Sequence, residues 1–304
     1  MFDLVTVGHF AIDLIASPAT AVCEQALGGS PTYVSLTARK LGARVSVVSK
    51  VGEDFPNGYS ELLKMKDVDL SGLIWVKGAS TTKFSLKHRG DECQSKLLSQ
   101  APYIFVKDIP GSLQSRIIHV APIAGEVSQA IVADLRAKTD LLSLDPQGFV
   151  RKVNRSGDIR LRKWNGTRIL ELVDLYKSSL DELRMVSEQA DLRLAMKEIQ
   201  DYGVGIVIVT MGIKGSMMLH EGVFCKVPAC RPTVIRDLTG AGDAYAGAFL
   251  AELIRGKGPA WCSCVGSAAA SFVVEGVGPA VFGEEKQIYK RAARIYEEGL
   301  SCLE

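Results

Sequence analysis

The sequence predicts an α/β fold: a doubly wound, mostly parallel sheet with helices on both faces, accompanied by a small antiparallel β sheet. Three observations carry this. Short apolar strand patterns alternate with helical ones along most of the chain, the signature of parallel strands joined by crossover helices. Between residues 72 and 100 that alternation gives way to consecutive β-rich segments, and Thr82-Lys-Phe-Ser-Leu-Lys-His88 alternates polar with apolar, as a strand wetted on one face does. The 304 residues are 47% hydrophobic and 23% charged, enough to bury a large core, and no long linker divides them, so 1–304 reads as one domain.

Charge excludes one class of function. A net charge of +2, from 36 basic and 34 acidic residues, lacks the excess a polyanion partner requires, so the expected partner is a small molecule and not nucleic acid. Residues 258–274 carry no charge but contain Gly, Ser, Cys and Pro, which fits a buried helix better than a membrane span. Seven cysteines stand at 23, 93, 225, 230, 262, 264 and 302, none in a Cys-x-x-Cys pair. With no basic leader or cleavage site at the N-terminus, they are expected to be reduced thiols in a cytoplasmic protein.

Along the chain, Asp3 to Gly8 reads as an apolar strand, and the turn after it runs Gly8-His-Phe-Ala-Ile-Asp13. Asp13 lies beyond the carboxyl end of a strand, where open α/β sheets place ligand contacts; it is either an acceptor for substrate hydroxyls or a turn former. Leu27-Gly-Gly-Ser-Pro-Thr-Tyr33 opens a helix to about Lys40, with Ser30 as N-cap and Pro31 in the first turn. Gly28 and Gly29 leave backbone N–H groups bare for a polar ligand, or meet a need for positive φ. A strand at Arg44 to Ser49 follows, then a turn in which Asp54 is a turn former. Gly72 to Val76, Thr81 to His88 and Cys93 to Gln100, with Asp13 to Ala21, are expected to make up the small sheet.

Tyr103 to Val106, Arg116 to Ala121 and Leu141 to Asp145 then read as strands, with a helix near Val127 to Lys138. Asp145-Pro-Gln-Gly-Phe-Val-Arg151 ends the last of these, so Asp145 and Gln147 would face the same crevice as Asp13, with Arg151 available to a phosphate or to the substrate. Arg151 and the run Lys152 to Arg168 together hold seven basic residues against one acid, either a solvated face or a reserve of phosphate contacts. Leu170 to Tyr176 is read as a strand, and Ser179-Leu-Asp-Glu182 as a capping box that starts a helix toward Tyr202. Strands at Gly205 to Thr210 and Ser216 to His220 flank Thr210-Met-Gly-Ile-Lys-Gly215, whose corner glycines would let a flat ring and a phosphate lie against the backbone. That loop precedes a strand and not a helix, so it is not the dinucleotide fingerprint, and the absence of any G-x-x-x-x-G-K-[ST] excludes a P-loop enzyme. Ala260 to Val274 is a small-residue helix, and Gly283 to Cys302 an amphipathic helix that covers the sheet.

The chemistry concentrates in Asp237-Leu-Thr-Gly-Ala-Gly-Asp243, directly before a helical pattern. Gly240, Ala241 and Gly242 let consecutive N–H groups point outward at the positive end of a helix dipole, which makes an anion cradle. Asp243 stands at its edge. A carboxylate there would repel a resting anion but could take a proton from a hydroxyl about to attack one, the arrangement that phosphoryl transfer needs. A Gly-rich turn with an acidic first-turn residue is the alternative.

The stretch resembles the D-x-T-G-A-G-D signature of the ribokinase-like carbohydrate kinases, the phosphofructokinase-B type, with every specified residue present from Asp237 to Asp243. The resemblance implies an ATP-dependent kinase for a sugar or polyol, requiring Mg²⁺. Gly240, Ala241 and Gly242 would be its anion hole and Asp243 its base. It implies acceptor contacts at Asp13, Gly28, Gly29, Gln147, Arg151 and Asp243, with Tyr33 standing where many members have asparagine. On the nucleotide side it implies Lys177, Ser179, Thr210, Gly212, Gly215, Thr239, Gly240, Gly242 and Ser267. Ser179 replaces the family's usual asparagine, and Glu182 would organise Mg²⁺ through water or serve only the capping box. The small sheet, residues 13–21 and 72–100, would be a lid over the acceptor and a surface for a homodimer. The stretch from Asp145 to Arg151 is similar to D-x-Q-x-x-x-R in a subgroup with archaeal and plant myo-inositol kinases, which makes myo-inositol the first expected acceptor; ribose, a ketohexose or its phosphate, and a nucleoside remain open.

Overall fold

The structure is a computed structural model that describes residues 1–16, 23–89 and 92–303. In chain order the first half runs β1 (Phe2–Val7), β2 (Ala11–Ala16), β3 (Cys23–Gly28), α1 (Ser30–Lys40), β4 (Val45–Gly52), α2 (Asn57–Met65), β5 (Val68–Val76), β6 (Thr82–Arg89), β7 (Glu92–Ser99), β8 (Ser115–Val120), α3 (Gln129–Arg136) and β9 (Thr139–Leu144). Then come α4 (Gln147–Val150), β10 (Arg151–Val153), β11 (Ile159–Leu161), α5 (Thr167–Leu170), β12 (Leu175–Ser179), α6 (Leu180–Val186), α7 (Leu192–Asp201) and β13 (Ile206–Thr210). The chain closes with β14 (Ser216–His220), β15 (Val223–Val227), α8 (Ala241–Ile254), α9 (Pro259–Val273), α10 (Glu285–Glu298) and β16 (Ser301–Leu303).

Ten strands of the described residues form one sheet in the order β16-β15-β14-β13-β12-β9-β8-β1-β4-β5. From β5 to β13 all neighbours are parallel, and β14, β15 and β16 extend it antiparallel. The strand β4, Val-Ser-Val-Val-Ser-Lys-Val-Gly, is buried along its whole length, as a parallel strand covered on both faces must be. One face packs on α1, α8, α9 and α10 through Leu4, Ile117, Ile208, Phe249 and Val265, and the other on α3, α5, α6 and α7 through Val7, Ile118, Leu144, Val207 and Met196. α1 and α8 touch backbone to backbone, since a Cβ on Gly247 would lie 2.4 Å from the carbonyl oxygen of Val34. That contact fixes the N-terminus of α8 over the carboxyl ends of the central strands, at the point where the chain switches from β1 toward β4 on one side and β8 on the other.

The small sheet has the order β3-β2-β6-β7. Its β2–β3 and β6–β7 pairs are antiparallel, whereas β2 and β6 run parallel, so it is mixed. Gly72 to Val76 does not belong to it: β5 pairs with β4 and forms an edge of the large sheet, because Val68 and its apolar neighbours are buried against α2 and β4. The part of the expected lid at 17–21 lies outside the described residues.

Other boundaries also differ from expectation. Tyr103 to Val106 has no strand beside it; Val106–Asp108 is a 3₁₀ turn, and the Tyr103 carbonyl accepts from the Lys50 ammonium at 3.0 Å. Residues 167–170 form a helical turn, so the strand begins only at Leu175. The helix after Ser179 breaks at Ser187, and a second one starts at Asp191, whose carboxylate caps the N–H groups of Arg193 and Leu194. The terminal helix ends at Glu298; the chain then turns at Gly299 and adds β16 beside β15. In that register Cys225 faces Cys302, and the two form a disulfide. The expectation of seven reduced thiols therefore fails for this pair, whose closeness across 77 residues no spacing rule foresees.

Candidate active site

The Gly-Ala-Gly turn is built as its sequence requires. Gly240 is the N-cap of α8 with φ +76°, a left-handed conformation, and a Cβ there would fall 2.3 Å from the ring of Tyr33. Neither constraint admits another residue. The Lys177 ammonium lies against the same turn, 3.0 Å from where a Cβ on Gly242 would be, and is held by the Asp145 carboxylate at 2.7 Å with both side chains buried. Burial opposes the Lys177 charge, but the carboxylates of Asp145, Asp243 and Glu182 outweigh it and keep its pKa above the ordinary value.

Asp243, in the first turn of α8, is half-buried. Burial raises its pKa to about 6; Lys177 pulls it down, Asp145 pushes it up, a hydrogen bond with the Ser30 side chain pulls it down, and Glu182 pushes it up. Ser30 was expected to cap α1. The N-cap is instead Gly29 at φ +85°, without a side-chain cap, and Ser30 is the first residue of the helix.

Asp13, Gly28, Gly29, Tyr33 and Arg151 come together beside Asp243. Asp13 is buried on β2, and a Cβ on Gly28 would fall 1.9 Å from its carboxylate, so only glycine fits opposite it. Burial, then Asp237, raise the Asp13 pKa to about 7; Arg151 opposes them and Asp243 adds to them. Tyr33 is 1% exposed, yet among the described residues its hydroxyl has no hydrogen-bond partner. Burial, followed by the charges of Asp13, Asp237 and Asp243, lifts that phenol well above its ordinary pKa, so it stays a donor. Arg151 donates to the Ile123 carbonyl at 3.0 Å, and Gln147, half-buried, starts α4 with its N–H on Asp145.

A second group lies across α8. Ser179 and Glu182 form the capping box in full: the Ser179 N–H donates to Glu182 Oε2 at 2.7 Å, and the Glu182 N–H to the Ser179 hydroxyl at 3.3 Å. Thr210 is in register with Ser179 on the neighbouring strand, its hydroxyl on the Ser178 carbonyl. Gly212 and Gly215 both have positive φ, and a Cβ on Gly215 would meet the Val227 carbonyl at 2.1 Å. The Ser267 hydroxyl is fully engaged, donating to the Pro228 carbonyl and accepting from the Cys230 N–H, so it fixes the loop that packs on Gly215. Thr239 has its N–H on Asp237 and its hydroxyl buried without a partner. Tyr245 ties α8 to the start of β14 through a 3.0 Å hydrogen bond with Ser216.

One residue near the Lys177–Asp145 pair carries no sequence signal. His119 on β8 is in register with Thr6 and Ser143; its Nδ1 bonds the Ser143 hydroxyl at 2.8 Å, while its Nε2 and the Thr6 hydroxyl have no partner among the described residues. Burial pushes its pKa down to about 4 against the opposing pull of Asp145, so it is neutral. Only the strand register could have found it. Among the described residues no cluster of three or more His, Cys, Asp or Glu side chains could hold a metal, and no helix is long and apolar enough to cross a membrane.

Known proteins share this chain and this architecture. It is 28% identical over 261 residues to a cytidine kinase of Thermococcus kodakarensis, covering 84% of this chain and 90% of that protein. It is also 28% identical over 293 residues to a nucleoside kinase of Methanocaldococcus jannaschii, covering 91% and 92%. The solved structure of a Methanocaldococcus jannaschii nucleoside kinase, an archaeal member of the ribokinase family, superposes with a TM-score of 0.78 at 24% identity, over 97% of this chain and 99% of that one. A pyrophosphate-dependent kinase in the ribokinase family, complexed with a pyrophosphate analogue and myo-inositol, superposes with a TM-score of 0.79 at 22% identity, over 94% and 99%. Residues 1–286 match the pfkB family carbohydrate kinases. With the D-x-T-G-A-G-D turn seated at the switch point of a ribokinase-like sheet, the chain belongs to the pfkB family of carbohydrate kinases and is a phosphotransferase with an alcohol group as acceptor.

Proposed function

We propose that the chain transfers the γ-phosphoryl group of ATP to a hydroxyl of a nucleoside, with Asp243 as base. The observation that carries the transfer is the meeting of three features at one point: a bare-backbone turn at a helix N-terminus, the Lys177 ammonium against it, and a half-buried carboxylate with a raised pKa. The acceptor hydroxyl gives its proton to Asp243 as its oxygen bonds to phosphorus. The bond to the β-phosphate breaks and ADP leaves. The N–H groups of Ala241 and Gly242, with Lys177, hold the charge of the moving group. The donor lies toward Thr210, Gly212, Gly215 and Ser267, the acceptor toward Asp13, Gly28, Gly29, Gln147 and Arg151.

Magnesium fits as a companion of the phosphates and not as a resident of a protein cage: among the described residues Glu182 Oε1 has no hydrogen bond while Oε2 caps the helix, so it can orient metal-bound water. When bound, the ion would neutralise phosphate charge.

The 28% identity with nucleoside and cytidine kinases over most of the chain supports the nucleoside reading. The D-x-Q-x-x-x-R stretch supports a second one, myo-inositol. ADP release measured over cytidine, inosine, adenosine, ribose and myo-inositol separates them; release with none would leave a binding protein on a kinase fold.

Two further results are expected. Asp243 is charged above pH about 6, so kcat/KM rises with pH through that value and levels off above it; a flat profile from about pH 5 to 7 would count against the base. Tyr33→Phe removes a buried hydroxyl that has no protein partner, so the thermal midpoint stays or rises, while the acceptor KM increases about tenfold through loss of a hydrogen bond to substrate. An unchanged KM would remove Tyr33 from the acceptor site.

A further inference from the structure

Beyond Arg151, the basic residues from Lys152 to Arg168 are not absorbed by the transfer site, and part of that run lines a separate cleft of about 610 Å³. Its walls include Ser128 before α3, Phe149 of α4, and Arg162, Trp164, Asn165 and Arg168. We propose that this cleft binds the phosphate of a small phosphorylated molecule of nucleotide or sugar size, in addition to the donor and acceptor.

Electrostatics points that way. Two guanidinium groups line the cleft and no carboxylate does. Among the described residues neither arginine makes an ion pair or a side-chain hydrogen bond, and both are exposed, so their donors are open to a ligand. An unpaired guanidinium pair in a concave, acid-free site presents ten N–H donors to a planar or tetrahedral anion. Ser128 leaves the first turn of α3 without a side-chain cap, so that helix end adds its N–H groups to the same wall. The volume falls within the ordinary range of small-molecule sites.

The walls are built, not merely adjacent. Trp164 stacks on Phe149 at 4.8 Å and 15°, and Gly166 passes so close beneath the indole that a Cβ would fall 2.4 Å from it. The Trp164 N–H donates to the Met185 carbonyl at 2.9 Å, tying the cleft to the end of α6. Gly148 and Phe149 of α4 line the cleft, and Arg151, the residue that ends α4, is the one whose charge acts on Asp13. A bound phosphate would therefore touch the helix that leads into Arg151.

The test titrates the full chain with AMP, a hexose phosphate and inorganic phosphate, following Trp164 emission, with Trp164→Phe as control. The expected result is a saturable change with at least one of them, weakened at least about tenfold in Arg162→Gln/Arg168→Gln, whose kcat and ATP KM stay within about twofold of the parent. AMP alone, the hexose phosphate alone, or all three equally would identify a nucleotide, a sugar phosphate or bare phosphate as the ligand. No saturable change up to about 10 mM of any probe, or a change that survives in the folded double variant, overturns the proposal. Binding is read without turnover, so this inference and the kinase reading fail separately.

Discussion

Asp243→Asn is expected to lower kcat at least about a hundredfold while the acceptor KM stays within about threefold, because the amide keeps the shape of the carboxylate but cannot take a proton. Steady-state kinetics with the best acceptor from the panel measures it. The neighbours of Asp243 make the expectation specific: the substitution removes one carboxylate from beside Asp13 and Asp145, so folding stability should not fall, and loss of activity cannot be blamed on unfolding. A variant within about threefold of the parent in kcat would leave the turn as an anion cradle without a base.

Lys177→Met should be costly in two separable ways. Removing the ammonium leaves Asp145 buried and uncompensated, which destabilises by about 3–5 kcal/mol. It also removes the only side-chain cation that the described structure places against the Gly242 backbone, with an expected loss of at least about a hundredfold in kcat. Adding Asp145→Asn separates the two effects: the double variant should regain most of the stability in denaturant melts, since no lone buried charge remains, and none of the activity. Recovery of both would make the pair a structural ion pair and nothing more. Neither recovering would place the damage elsewhere in the strand.

Much of this site was legible because its chemistry is local. Gly240, Gly242 and Asp243 announce themselves in seven consecutive residues, and the backbone demands of the turn, positive φ and room beside Tyr33, follow from the glycines. The capping box at Ser179 and Glu182 was legible for the same reason, since its two hydrogen bonds span three residues. What the chain order hid were contacts at long range. Lys177 and Asp145 sit 32 residues apart, and their pairing depends on β12 and β9 being neighbours in the sheet. His119 looks like any polar residue in an apolar strand. Gly72 to Val76 reads as well in a small sheet as at an edge of the large one, because alternation tells which face is wet and not which strand lies beside it.

The sequence by itself determined that a parallel α/β sheet would carry a bare-backbone glycine turn with an acid in the first turn of the helix after it, since hydrophobic periodicity and glycine placement are properties of short segments. The tertiary structure alone decided that a lysine would be pinned against that turn by Asp145, that Asp13 and Arg151 would come near Asp243, and that Cys302 would reach Cys225. Each of those depends on bringing together residues that only strand order and helix packing make neighbours, and free energy of that kind is stored in pairs, not in segments.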